Sequence, residues 1–123
     1  MIVEMRRSAW EVILIVALED AKYKLVGMRD DIRELGLALR IEETKENLRD
    51  LEAQTTDPAF WNNTDHSSKV LQTIKQSQDK VQGYEHLCRR LEDAIALAEM
   101  AIEENDESSV EEVQSELAAI QAE

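Results

Sequence analysis

The side chains able to do chemistry are few and poorly placed for it. His66 and His86 stand twenty residues apart, and Cys88 follows His86 by two. On a helix a separation of two turns side chains onto different faces, so His86 and Cys88 make neither a metal-binding pair nor a nucleophile with its base. Cys88 also falls on an apolar heptad position, which suits a small core residue better than a reactive thiol. No glycine-rich phosphate loop is present, nor any Ser/His/Asp grouping with a recognisable signature. The 27 acidic residues are spread along helix faces with no pocket to perturb them. The expectation is a chain that is not an enzyme, with no catalytic, cofactor-binding or metal-ligating residues and no cofactor.

The elements around these residues are helical. A chain of 123 residues with 33% charged residues, three glycines and one proline reads as one domain made almost entirely of helix. Leu14, Leu18, Ala21, Leu25, Met28, Ile32 and Leu35 step by fours and threes, which predicts a first helix ending near Gly36. A second helix should carry Leu37, Ile41, Leu48 and Leu51, with Thr44 as a polar gap, and end before Asp57. The third is the longest. Val70, Ile74, Ser77, Val81, Tyr84, Cys88, Leu91, Ile95, Ala98 and Ile102 alternate strictly, a coiled-coil-like seam on a helix over residues 64–104 that would be roughly 60 Å long. Asn105 and Asp106 read as a turn. Ser108 and Glu111 then offer a capping box for a fourth helix bearing Val110, Val113, Leu117 and Ile120, folded back antiparallel on the third.

Between the second and third helices lies DPAFWNN, residues 57–63, with the only proline and the only phenylalanine. Asp57 can cap a helix start and Pro58 fits the first helical position, where no backbone donor is needed. Asn63 or Thr64 can then cap the long helix. Phe60 and Trp61 together are expected to plug this corner against the neighbouring helices, so that Trp61→Ala would cost roughly 3–5 kcal/mol.

The fold class that satisfies these stripes is all-α: an elongated antiparallel bundle of three to four helices with a long coiled-coil-like helix. One cysteine cannot form an internal disulfide, and the expected setting is reduced and cytoplasmic. Arg6 and Arg7 ahead of the apolar run at residues 12–18 imitate a signal peptide in outline. The run has only seven residues, Glu4 and Glu11 flank the basic pair, and Glu19-Asp20 stand where a small-residue cleavage site belongs. Seven apolar residues also fall far short of the roughly 20 needed to span a bilayer. An amphipathic anchor of Arg6, Arg7, Trp10 and the same run is disfavoured, since the run is apolar all round and the chain is strongly anionic.

Charge is uneven. Residues 1–90 hold 16 acidic and 14 basic side chains, whereas residues 91–123 hold 11 acidic and no lysine or arginine, so nearly all of the net charge of −13 lies in the last third. Such an end repels a phosphate backbone and attracts a basic protein surface, although an acidic face can also serve only for solvation.

Taken together, LRDLEAQTTDPAFWNN at residues 48–63, KVLQTIKQSQDKVQGYEHL at residues 69–87 and the acidic helix that follows resemble the amino-terminal helical domain of the bacterial peptide chain release factor 2 family. That family carries a D-P-x-F-W-N signature, matched here by Asp57, Pro58, Phe60, Trp61 and Asn62, and absent from the type-one release factors. The resemblance runs over roughly residues 25–123, with the Tyr84-Glu85 step and the Leu97-Ala98-Glu99 stretch included. It departs where the family opens its long helix with Asp-Pro, since this chain has Asn63-Thr64. Residues 1–20 read as an unassigned extension and residues 21–123 as the release-factor-like domain.

The resemblance implies a part of a termination factor acting at UGA and UAA codons. It implies a helical module that faces the stalk base of the large ribosomal subunit, with no direct nucleic-acid binding, no membrane, and self-association through the long helix as a further possibility. Neither the Gly-Gly-Gln peptide-release motif nor the Ser-Pro-Phe codon-reading motif stands in these 123 residues, so this chain alone is not expected to release a peptide. The competing reading is a stand-alone coiled-coil adaptor or oligomerisation module, which needs only the stripes.

Overall fold

A computed structural model describes the backbone of residues 2–104 and 109–122, and the side chains of residues 11–104 and 109–122. The side chains of Arg6, Arg7 and Trp10, the Asn105-Asp106 turn and the Ser108 cap lie outside the described residues. Four α-helices follow one another: α1 (Ile2–Ala38), α2 (Ile41–Gln54), α3 (Thr64–Glu103) and α4 (Val110–Ala122), with a 3-10 turn at Pro58–Asn62 between α2 and α3. No strand occurs among the described residues. The fold is all-α, as the periodicity requires.

The chain divides into two compact units, one of Met1–Ile32 with Leu87–Glu123 and one of Arg33–His86. In the first, α1 buries Leu18, Ala21, Leu25 and Ile32, and α4 buries all four of its expected positions, Val110, Val113, Leu117 and Ile120. Here α3 buries two stripes. Leu91, Ile95 and Ala98 lie on the expected seam, while Ala94 and Ala101 form a second row that a single heptad register does not contain. A helix with two neighbours needs a wider apolar arc than a two-stranded seam, and alanine allows close approach on the added side. Ion pairs Lys22–Glu99 and Arg29–Glu92 join α1 to α3 in antiparallel order, and Arg90–Glu116 joins α3 to α4.

In the second unit the buried side chains are Ile41 of α2, Phe60 of the 3-10 turn, and Ser67, Val70, Ile74 and Val81 of α3. The α2 side chains Leu48 and Leu51 pack against the cluster of Phe60, Val70 and Ile74. Lys45 pairs with Glu85 and Glu52 accepts from Gln78, so α2 and this part of α3 also run antiparallel.

The first boundary differs from the expectation. α1 does not end at Gly36 but continues to Ala38, and the chain turns at Arg40, whose φ of 54° and ψ of 49° are left-handed. Leu37, expected on the seam of the second helix, belongs to α1 and is 73% exposed, and Leu35 is also exposed. Gly36 is a contact residue instead of a stop. The Tyr84 ring and hydroxyl sit where a Cβ would stand, with Cζ 2.6 Å from that position. Gly27 and Gly83 have open space around theirs. Alanine normally stabilises a helix interior by roughly 0.5–1 kcal/mol over glycine. Gly27→Ala and Gly83→Ala are therefore expected to raise the urea midpoint, while Gly36→Ala should lower it by displacing Tyr84, at a cost of about 1–3 kcal/mol.

Candidate functional site

The corner at residues 55–67 is built from local hydrogen bonds. The hydroxyls of Thr55 and Thr56 donate to the carbonyls of Glu52 and Ala53 at 2.6 and 2.7 Å, which satisfies acceptors left over at the end of α2. Asp57 then turns the backbone into an extended conformation, and its Oδ1 accepts the Ala59 N–H at 3.0 Å with Pro58 at the first position. The Asn63 Oδ1 accepts the His66 N–H at 3.1 Å and starts α3. Both caps stand where the sequence places them. The departure at Asn63-Thr64 from the Asp-Pro pattern therefore still leaves a capped helix.

The two aromatic rings have separate roles. Phe60 is 8% exposed and fills the space among Val70, Ile74, Leu48 and Leu51. Trp61 is 54% exposed, so the expectation that both rings plug the corner holds for Phe60 alone. Adjacent residues in so tight a turn project in different directions, and only one ring can enter the gap between α2 and α3. The Trp61 ring stands edge-on to Phe60, with centroids 5.0 Å apart and planes at 88°, and its Nε1–H donates to the Thr55 carbonyl at 3.2 Å. This contact fixes the indole across the mouth of the turn with much of its surface in solvent.

Ser67 completes the corner and was not singled out by sequence reasoning. It is the one buried polar side chain among the described residues, and its hydroxyl lies 2.5 Å from the Phe60 carbonyl and 2.9 Å from that of Asn63. A signal was available: extending the α3 register one step back from Val70 lands on Ser67. Of the remaining candidates, His66 is exposed with its ring 6.1 Å from that of Phe60, and Cys88 is only partly buried. Among the described residues no group of three or more His, Cys, Asp or Glu side chains is arranged to hold a metal ion.

The acidic last third is more internally compensated than its composition suggests. Glu92 receives a two-pronged bond from Arg29, Nε at 2.8 Å and Nη2 at 2.7 Å, while Glu99 faces Lys22 and Glu116 faces Arg90. Asp93, Glu103, Glu104, Glu111 and Glu112 are exposed and make no ion pair among the described residues. These carboxylates are the ones left to face a partner. Asp106 and Glu107 lie outside the described residues.

The hydrogen bonds donated by Arg29 hold the Glu92 carboxyl below the ordinary carboxylate range, and the bond that Lys45 donates to the Glu85 carboxylate raises the Lys45 ammonium. A lowered carboxyl contributes stability above its unfolded pKa and loses it as pH falls through the folded value. A raised ammonium contributes below its unfolded value and loses it as pH rises through the folded one. Both pairs are exposed and hence weak. Glu92→Gln is accordingly expected to lose less stability than the unsubstituted chain when urea midpoints are compared at neutral and at acidic pH.

Comparison with known proteins returns one family. Residues 44–123 match the PCRF domain. The chain is similar to peptide chain release factor 2 of Clostridium perfringens, 29% identical over 110 residues that make up 89% of this chain and 30% of the relative. It is similar also to peptide chain release factor 2 of Corynebacterium aurimucosum, 41% identical over 76 residues (62% of this chain, 21% of the relative). With the peptide chain release factor 2 of Nocardia farcinica it shares 33% identity over 104 residues (82% and 28%). The chain thus spans between 21% and 30% of the length of these three relatives. No solved structure matches it at a significant level.

Proposed function

Because the chain belongs to the PCRF domain family, we propose that it is the amino-terminal helical part of a peptide chain release factor 2 and serves translation termination at UGA and UAA codons as a ribosome-contacting module. The observation that carries this reading is the family match over residues 44–123, which takes in most of α2, the whole aromatic corner, α3 and α4. Residues 21–123 form the release-factor-like region and residues 1–20 an extension of it. Peptide release and codon reading belong to parts of the factor other than these 123 residues. The stand-alone adaptor reading is not favoured, since a bare coiled coil has no need of the capped Phe-Trp corner or of similarity to release factors.

The expected partner surface is a basic protein patch at the stalk base of the large subunit. What supports it is the set of unpaired carboxylates, Glu103, Glu104, Glu111, Glu112 and Asp93, which repel phosphate and complement cationic protein. In a peptide-release assay on ribosomes programmed with each stop codon, the full-length protein carrying this chain should release peptide at UGA and UAA and not at UAG. Release at UAG, or at no codon, overturns the reading. Replacing Glu103, Glu104, Asp106 and Glu107 by glutamine should weaken ribosome association severalfold at low salt, with the difference fading as salt rises. Unchanged binding removes this end as the contact and leaves the termination role standing.

A further inference from the structure

Where α4 packs on α3, within one unit of the chain, an open groove of about 280 Å³ runs along their shared edge. α3 lines it with Arg90, Asp93, Ala94 and Leu97, spaced by threes and fours along one face, and α4 with Glu112 and Glu116, one turn apart. Ala94 is buried and Leu97 half-buried, so the floor is apolar while the rim is charged. Met100, three residues beyond Leu97 on the same side of α3, is 56% exposed and extends the apolar strip past the groove. At one end Arg90 donates to Glu116 from Nε at 3.1 Å and from Nη2 at 2.8 Å, which occupies that carboxylate. Asp93 and Glu112 make no ion pair among the described residues. Their own stretch of sequence offers none, since residues 91–123 hold no lysine or arginine. The cations of α1 that reach this part of α3, Lys22 and Arg29, are taken by Glu99 and Glu92.

We propose that this groove takes an arginine side chain from a basic protein segment, with its aliphatic stem over Ala94 and Leu97 and its guanidinium against the carboxylates of Asp93 and Glu112. This names the chemistry by which the acidic end holds a basic partner, and it rests on the proposed ribosome contact for its setting. Charge selects a cation, because two uncompensated carboxylates on the rim repel phosphate. Among the described residues no three His, Cys, Asp or Glu side chains are arranged to hold a metal ion, so the geometry suits an organic cation. An apolar floor beside a charged rim fits a side chain with an aliphatic stem below a charged head. Arginine fits better than lysine. Its planar guanidinium carries donors on several edges and can address carboxylates of two helices at once, and it is the more weakly hydrated of the two cations.

The test is the fluorescence anisotropy of a dye-labelled octa-arginine peptide titrated with the 123-residue chain at about 50 and about 150 mM salt. Asp93→Asn combined with Glu112→Gln should weaken binding about tenfold at the lower salt. Glu103→Gln combined with Glu111→Gln removes the same charge from the same two helices outside the groove, and should weaken it only about twofold. Leu97→Ala should weaken it about threefold with the salt dependence unchanged, since the floor and not the charge is altered. All five side chains are exposed or half-buried, so the circular dichroism should stay the same. An octa-lysine peptide should bind about threefold more weakly than octa-arginine. Equal weakening by the two paired variants reduces the effect to general attraction and overturns the groove, as does a peptide that fails to bind. Equal affinity for the two peptides overturns the assignment to arginine. Either failure, in a chain whose full-length factor still releases peptide at UGA and UAA, leaves the termination role standing; loss of codon-dependent release overturns that role instead.

Discussion

Phe60→Ala is expected to cost about 3–5 kcal/mol, seen as a large fall in the urea midpoint, and to be among the most damaging single truncations in the chain. The ring is the buried aromatic of the 3-10 turn, and it forms a cluster with Val70 and Ile74 against which Leu48 and Leu51 pack. Its neighbours are held by caps at Asp57 and Asn63 and by the Ser67 hydroxyl, so they cannot collapse freely into the space left behind. A small domain has only about 5–15 kcal/mol of stability in total, so this loss is a large share of it. Trp61→Ala is expected to cost less, about 1–2 kcal/mol, since only part of its surface is buried and its indole bond to Thr55 is at the rim. Equal losses for the two variants would mean that the exposed ring holds the corner as firmly as the buried one.

The second large effect is expected on α1. Leu25 has no exposed surface, and Leu25→Ala should lower stability by about 2–5 kcal/mol through lost burial and the cavity that remains. Tyr23, two residues away on the same helix, is 80% exposed, and Tyr23→Ala should change the stability of the dilute chain by no more than about 0.5 kcal/mol. The comparison isolates the face, because both substitutions replace a large side chain by alanine in the same helix. A severe loss from Tyr23→Ala would mean that the outer face of α1 is covered within the chain.

Much of the architecture was legible because heptad spacing is a direct consequence of helical geometry. The buried positions Leu18, Ala21, Leu25 and Ile32 of α1, and Val110, Val113, Leu117 and Ile120 of α4, are those the periodicity selects. The corner caps were equally legible, since Asp57, Pro58 and Asn63 act on their own neighbours in sequence. The Ala94 and Ala101 row was not, because a stripe read one helix at a time does not reveal how many neighbours that helix has. Gly36 misled for a related reason: glycine marks both helix ends and close approaches, and only the position of Tyr84 distinguishes the two.

The candidate site divides along the same line. From sequence came the D-P-x-F-W-N signature, the family it resembles and the concentration of acidic residues in the last third, since each is a matter of residue type and order. Tertiary structure decided that Phe60 turns inward while Trp61 faces solvent, that Ser67 ties the corner to α3, and that Glu92, Glu99 and Glu116 are occupied by Arg29, Lys22 and Arg90. These depend on which side chains from distant parts of the chain arrive at the same place. Local spacing determines which face of a helix is apolar, and only packing against a neighbour determines which of its side chains remain free.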